Sequence, residues 1–147
     1  MKLTKNTNFR IAKRLLDDVF TKTEPLDYQL WTQFVDNHLD YFIWNEDTEE
    51  GKKSLQNIDN VPDSFKDRVL ASLNKGGCYA EFDKKRNLYD ISLGINKEYN
   101  WITIQFARTP KLEDLKIFVA MAKHLDALLL KDGTEIIDEK MIEEAVQ

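Results

Sequence analysis

Apolar and polar residues alternate in three short runs in the second half of the chain. Cys78, Ala80 and Phe82 fall on one side of an extended segment, with Tyr79, Glu81 and Asp83 on the other. Tyr89, Ile91, Leu93 and Ile95 repeat the pattern opposite Asp90 and Ser92. Ile102, Ile104 and Phe106 repeat it again, opposite Trp101, Thr103 and Gln105. β-Branched and aromatic side chains dominate these runs, as strands prefer. The links between them are short and polar: Lys84-Lys85-Arg86-Asn87, then Asn96 to Asn100. Such links join antiparallel neighbours, so the pattern predicts a meander.

A sheet with one apolar face needs a cover. The next segment changes period. Leu115, Phe118, Ala122 and Leu125 recur at helical spacing, and Leu112, Val119 and Met121 widen the stripe. Thr109 is the expected N-cap, with Pro110 at the first helical position and Glu113 and Asp114 in the first turn. Ala127 to Lys131 reads as a fourth strand, or else as the last turn of this helix, before the turn signal Lys131-Asp132-Gly133. Asp138 caps a C-terminal helix, whose narrow apolar side is Met141, Ile142 and Ala145.

The first half reads as helical. Phe9 to Phe20 places Ile11, Ala12, Leu15, Leu16, Val19 and Phe20 on one broad face. Thr21 to Pro25 breaks it, and Asp27 caps a second helix carrying Tyr28, Trp31, Phe34 and Val35. His38 to Trp44 fits either an extension of that helix or a strand. Asn45 to Asn60 is acidic, and reads as a short helix over Thr48 to Gln56 or as a long surface loop. A further helix opens at Val61-Pro62-Asp63, with Phe65, Val69, Leu70 and Leu73 as its stripe, and Gly76-Gly77 ends it. The predicted fold is α+β in one domain over 1–147. A helical half, 1–76, packs with a three- to four-stranded antiparallel meander covered by a long helix, 77–147.

Composition narrows the class. At 147 residues, 42% apolar and 32% charged, the chain can bury a real core. Its longest apolar run, Ile117 to Ala122, is far shorter than a bilayer span. Met1 to Arg10 is polar and basic, unlike a signal peptide. The single cysteine, Cys78, excludes an internal disulfide, so a cytoplasmic location is expected. The net charge of −5 is unevenly spread. Residues 1–15 hold five cations and no acid, whereas 36–67 hold nine acids against Lys52, Lys53 and Lys66. Residues 132–147 hold six acids against Lys140. Such a field disfavours nucleic acid and favours basic protein partners, although acidity also simply keeps proteins soluble.

Candidate chemistry is sparse. Asp36, His38 and Asp40 have the spacing of a partial metal site, but a working site needs three or four converging ligands, and the second histidine, His124, is distant in sequence. Cys78 follows Gly76-Gly77, yet a lone cysteine on the apolar side of a strand is usually core. Asp17 and Asp18 are helix neighbours and diverge by about 100°. Gly76-Gly77 lacks any phosphate-binding pattern. Lys84, Lys85 and Arg86 beside Tyr79, Tyr89 and Trp101 resemble a small base-stacking platform, or a charged hairpin tip. Trp101 and Tyr79 face away from the apolar side of the sheet, so they belong to a second small core or to an exposed contact surface. No enzyme activity and no cofactor or metal are expected.

The run from Leu115 to Gly133 follows the strand Trp101 to Phe106 and contains Ala122, Lys123, Leu125 and Ala127 in the form Ala-Lys-x-Leu-x-Ala. This third of the chain resembles small bacterial proteins of polymorphic-toxin and contact-dependent inhibition systems. The resemblance implies an immunity protein: a cytoplasmic, non-enzymatic inhibitor that binds one toxin domain. Many toxin domains are basic, which suits an acidic partner. The expected contact surface combines the charges of Asp36, Asp40, Glu46, Asp47, Glu49 and Glu50 with Tyr41 and Trp44 as aromatic anchors. A scaffold or chaperone-like adaptor, dimeric or not, is the alternative.

Overall fold

The computed structural model describes residues 2–16 and 23–146. It is α+β: a seven-stranded antiparallel sheet and, among the described residues, five α-helices. The strands are β1 (Phe9–Ala12), β2 (Phe42–Trp44), β3 (Gly77–Asp83), β4 (Leu88–Asn96), β5 (Trp101–Phe106), β6 (Leu128–Lys131) and β7 (Glu135–Ile137). Their spatial order is β2-β3-β4-β5-β1-β6-β7. The helices are α1 (Tyr28–Asp36), α2 (Glu49–Gln56), α3 (Asp63–Ser72), α4 (Lys116–His124) and α5 (Glu139–Val146).

The meander β3-β4-β5 is as expected, and its register pairs Cys78 with Leu93 and Leu93 with Ile104. The strand predicted at 127–131 is present as β6. The helix predicted from Asp27 is α1, with the Asp27 carboxylate accepting from the Leu30 N–H at 3.1 Å. The short-helix reading of 48–56 and the C-terminal helix also hold. Thr48 caps α2, and Asp138 accepts from the Met141 N–H at 3.0 Å.

The expected helical first half is corrected. Phe9 to Ala12 is not helical but forms β1, inserted between β5 and β6. Phe9 and Ile11 are fully buried there, because the sheet core at that position accepts both of its alternate apolar residues. Lys13 to Leu16 are likewise not helical, and the remainder of the predicted helix, Asp17, Asp18, Val19 and Phe20, lies outside the described residues. His38 to Trp44 resolves into a turn and the edge strand β2, paired with β3 through Phe42 and Ala80. One sheet therefore draws strands from both halves of the chain.

The main core lies between the sheet and two helices. Helix α1 contributes Trp31, Phe34 and Val35, and α4 contributes Phe118, Val119, Met121 and Ala122. Full burial of each large side chain stabilises by about 2–3 kcal/mol before ordering costs. The cover starts later than expected. Thr109 and Pro110 precede a short 3-10 turn, Leu112–Leu115, and only then does α4 begin. Asp114 anchors that turn by accepting from the Lys111 N–H at 2.8 Å. At the other end of α4, the Lys13 ammonium donates to the carbonyls of Leu125 and Asp126, at 2.8 and 3.0 Å, satisfying orphan acceptors.

The second face holds a smaller cluster of Ala12, Leu16, Trp101 and Leu130. Trp101 is 5% exposed beneath the Arg10 guanidinium, 4.3 Å from its ring centre. The second-core reading therefore holds for Trp101. Helix α3 departs from its predicted role: none of its residues is buried, and Phe65 and Leu70 are 51% and 40% exposed. Leu73, just beyond it, is the stripe position that reaches the interior.

Candidate protein-binding surface

The strict alternation of β3 breaks at Glu81, whose φ of +57° is unusual for a residue with a side chain. No ladder pair forms at Glu81, although the register is kept on either side, with Ala80 opposite Ile91 and Phe82 opposite Tyr89. The consequence is that Glu81 and Phe82 serve two different concavities.

Glu81 enters a cleft of about 990 Å³ walled by the start and body of α4, by α5, and by the turn before β2. Its acids are Asp40, Glu81, Glu113, Asp114 and Glu143, with Lys116 as a cation and Ile117, Ala120 and Ile142 as apolar surface. Two of those acids are already engaged. Arg108 bridges Asp114 at 2.8 Å and Glu81 at 2.5 Å, and approaches Asp90 at 3.7 Å. Partial burial works against ionisation of Asp114. The Arg108 hydrogen bond, the Lys111 N–H and the neighbouring cations outweigh it, leaving its pKa below the usual carboxylate value. The Arg108 guanidinium is held charged more firmly in return, first by its hydrogen bond to Asp114. Tyr41 also lines the cleft, packed edge-on against Phe42 at 4.9 Å. Burial, then the charges of Glu81 and Asp114, push its phenol upward.

Phe82 enters a second concavity, a groove of about 640 Å³ lined by Asn45, Thr48, Glu49, Glu50, Tyr79, Phe82, Asn87, Leu88 and Tyr89. Sequence reasoning placed Phe82 with Cys78 and Ala80 on the core side. It is instead 48% exposed, because the turn in the backbone at Glu81 carries it out. Its ring meets Tyr89 at 5.0 Å, and Tyr89 stacks on Tyr79 at 5.3 Å and 29°. Both charged residues lining the groove, Glu49 and Glu50, are acidic.

Helix α2 places those two acids, and Gly51 places α2. A Cβ built on Gly51 would lie 1.8 Å from the Asn45 carbonyl oxygen, so only glycine permits this approach. The contact is tightened by Thr48, whose hydroxyl donates to the Asn45 carbonyl at 2.7 Å and accepts from the Gly51 N–H at 3.0 Å. Asn45 in turn donates from its side chain to the Ser72 carbonyl at 3.0 Å. Glu49 and Glu50 occupy the first turn, where the helix dipole favours negative charge.

The proposed contact residues thus divide. Asp40 and Tyr41 line the cleft; Glu49 and Glu50 line the groove. Asp47 is exposed on the short turn between β2 and α2. Asp36, Trp44 and Glu46 are turned to structural work. Trp44 is only 2% exposed and packs edge-on against Trp31 at 5.5 Å, so it is not an accessible anchor. Its indole N–H donates to Asp36 at 2.8 Å, and Asp36 pairs with the Lys75 ammonium at 3.1 Å. That indole hydrogen bond lowers the Asp36 pKa most, burial opposes it, and Lys75 adds to the lowering. Glu46 accepts from the Lys75 N–H at 2.8 Å.

Three chemical candidates take on different roles. Cys78 is fully buried in the main core, and burial followed by the charge of Glu46 pushes its thiol upward, away from nucleophilic use. His38 stacks on Phe34 at 4.1 Å and its Nδ1 lies 2.6 Å from the Phe34 carbonyl; His124 lies against the same ring at 5.7 Å. Among the described residues, no group of three His, Cys, Asp or Glu is placed to hold a metal ion. The base-stacking platform is not assembled. Trp101 is in the second core, Arg86 is tied to Asp83 and Asp90, and Tyr79 and Tyr89 share their groove with carboxylates that repel phosphate.

No helix among the described residues is long and apolar enough to cross a membrane. No protein-family model, no curated protein and no solved structure matches the chain.

Proposed function

We propose that this protein is a non-enzymatic protein-binding module of the immunity type, which neutralises a basic toxin domain in the cytoplasm. The observation that carries the reading is the pair of acid-lined concavities meeting at Glu81 and Phe82. Both combine carboxylates with accessible apolar or aromatic surface, the mixture that protein interfaces use. Asp40, Glu113 and Glu143 in the cleft, with Glu49 and Glu50 in the groove, give a field that speeds encounter with a basic partner. The resemblance of the α4–β6 segment to toxin-system proteins points the same way.

The test is co-expression with the product of the gene adjacent to this chain's own. The expected outcome is protection of the cell and a stable complex, whose association slows as salt is raised. Unprotected cells together with no complex on size exclusion would remove the reading.

The adaptor alternative draws support from α3, whose Phe65 and Leu70 are exposed on a helix that buries nothing. An adaptor using that face would weaken on F65S/L70S substitution, whereas the acid-lined surface would be untouched. Light scattering on the wild-type chain decides whether two copies already share the face.

A further inference from the structure

We infer that the groove between α2 and the β3–β4 hairpin is a socket for an arginine side chain presented by the partner. The inference rests on the protein-binding reading and gives its chemistry at one place. Three observations converge. The first is a continuous aromatic wall: Tyr79 and Tyr89 are stacked, and Phe82 leans on Tyr89. Such rings present an electron-rich face to a cation. The second is charge. Glu49 and Glu50 line the same groove, and no cation among the described residues does. Among the described residues Glu50 is paired with Lys53 alone, at 3.8 Å, with both side chains largely in water, so that pair is readily exchanged. The third is fixed geometry. Gly51, Thr48 and Asn45 lock the start of α2 against the turn after β2, so the backbone that carries both acids is set in place before binding.

A planar guanidinium uses all of these features. It stacks on a tyrosine face and directs its N–H fork to carboxylates, with Asn45 and Asn87 as further acceptors in the lining. A lysine ammonium, compact and strongly hydrated, uses only the charge. The hairpin cation nearest in sequence does not fill the place: Arg86 is committed to Asp83, Asp90 and the Ala107 carbonyl.

The test is an NMR titration of the full chain with blocked Gly-Arg-Gly, its lysine analogue and its citrulline analogue. Citrulline keeps the shape of arginine and removes the charge. Saturable shifts of the Tyr79, Phe82 and Tyr89 ring signals are expected with the arginine peptide. Binding should weaken about tenfold with citrulline. The same loss is expected in an E49Q/E50Q variant, which alters two exposed side chains and leaves the aromatic wall in place. Equal binding of citrulline and arginine, shifts confined to the Asp40–Glu113–Glu143 cleft, or no saturable shift would overturn the assignment. With a captured toxin domain, equal affinity for wild type and E49Q/E50Q would overturn the socket while leaving the protein-binding reading intact. Arginine binding in the groove without any toxin complex would uphold the socket and count against the immunity reading.

Discussion

The two concavities on either side of Glu81 and Phe82 are both acidic but use their acids differently. In the cleft beside α4, Arg108 links Glu81 and Asp114 and approaches Asp90, so part of the negative charge is consumed in joining β3 and β4 to the head of α4. In the groove beside α2, Glu50 has only a long, water-exposed pair with Lys53 at 3.8 Å among the described residues, and rings line the same groove. An acid satisfied within the fold contributes to stability. An acid left open beside an exposed aromatic surface is available to a ligand. Both linings are net negative, so the sign of the charge alone does not separate these roles.

The largest effect is expected at Gly51. The Gly51→Ala substitution forces the methyl group against the Asn45 carbonyl and should cost about 3 kcal/mol, at the upper end for overpacking. Urea unfolding measures it. The groove should lose arginine binding in the same variant, because α2 must shift.

Removing Arg108 should break the cleft rather than the groove. Arg108→Gln leaves Asp114 and Glu81 uncompensated and should cost about 1–2 kcal/mol at neutral pH, after allowing for partial exposure. The pH dependence has a definite sign. Because the folded Asp114 pKa is lowered, its contribution is fully present above the ordinary carboxyl value of about 4. It is lost as pH falls through the lowered folded value. The stability gap between wild type and Arg108→Gln should therefore narrow below about pH 4, which denaturation at a series of pH values will show. A constant gap would mean that Arg108 acts by packing alone.

Asp36→Asn tests the structural half of the 36–50 segment. It weakens the hydrogen bond from Trp44 and removes the ion pair with Lys75, with an expected loss of about 1 kcal/mol. The fluorescence of the buried Trp44 should report the change in its surroundings. Smallest of all, E49Q/E50Q should alter stability by less than about 0.5 kcal/mol, as exposed charges usually do. A large loss in that variant would show that the groove acids hold the fold together, and would erase the contrast with the cleft.

The periodicity of residues 77–106 was enough to read the meander, because each of its strands places apolar residues at every second position. The same logic identified α1, α4 and the caps at Asp27 and Asp138. It failed at Phe9 to Ala12, where a dense apolar run fits a helix face and a two-sided strand equally well. Pairing with β5 on one side and β6 on the other decides for the strand, and both partners lie about a hundred residues away in sequence. It also failed for α3, whose stripe is buried only at Leu73, just past the end of the helix.

For the binding surface, the sequence by itself determined where acids and rings are dense, since composition is local. Only the tertiary structure decided which of them are available. Trp44 and Asp36 turn inward because they find each other and Lys75 across the chain. Phe82 turns outward because a left-handed backbone at Glu81 rotates the end of β3, and side-chain alternation carries no sign of such a rotation. Gly51 looks like an ordinary break in an acidic helix until the Asn45 carbonyl is seen where its side chain would be. Exposure and close approach are properties of pairs of distant residues, and a one-dimensional pattern records residues singly.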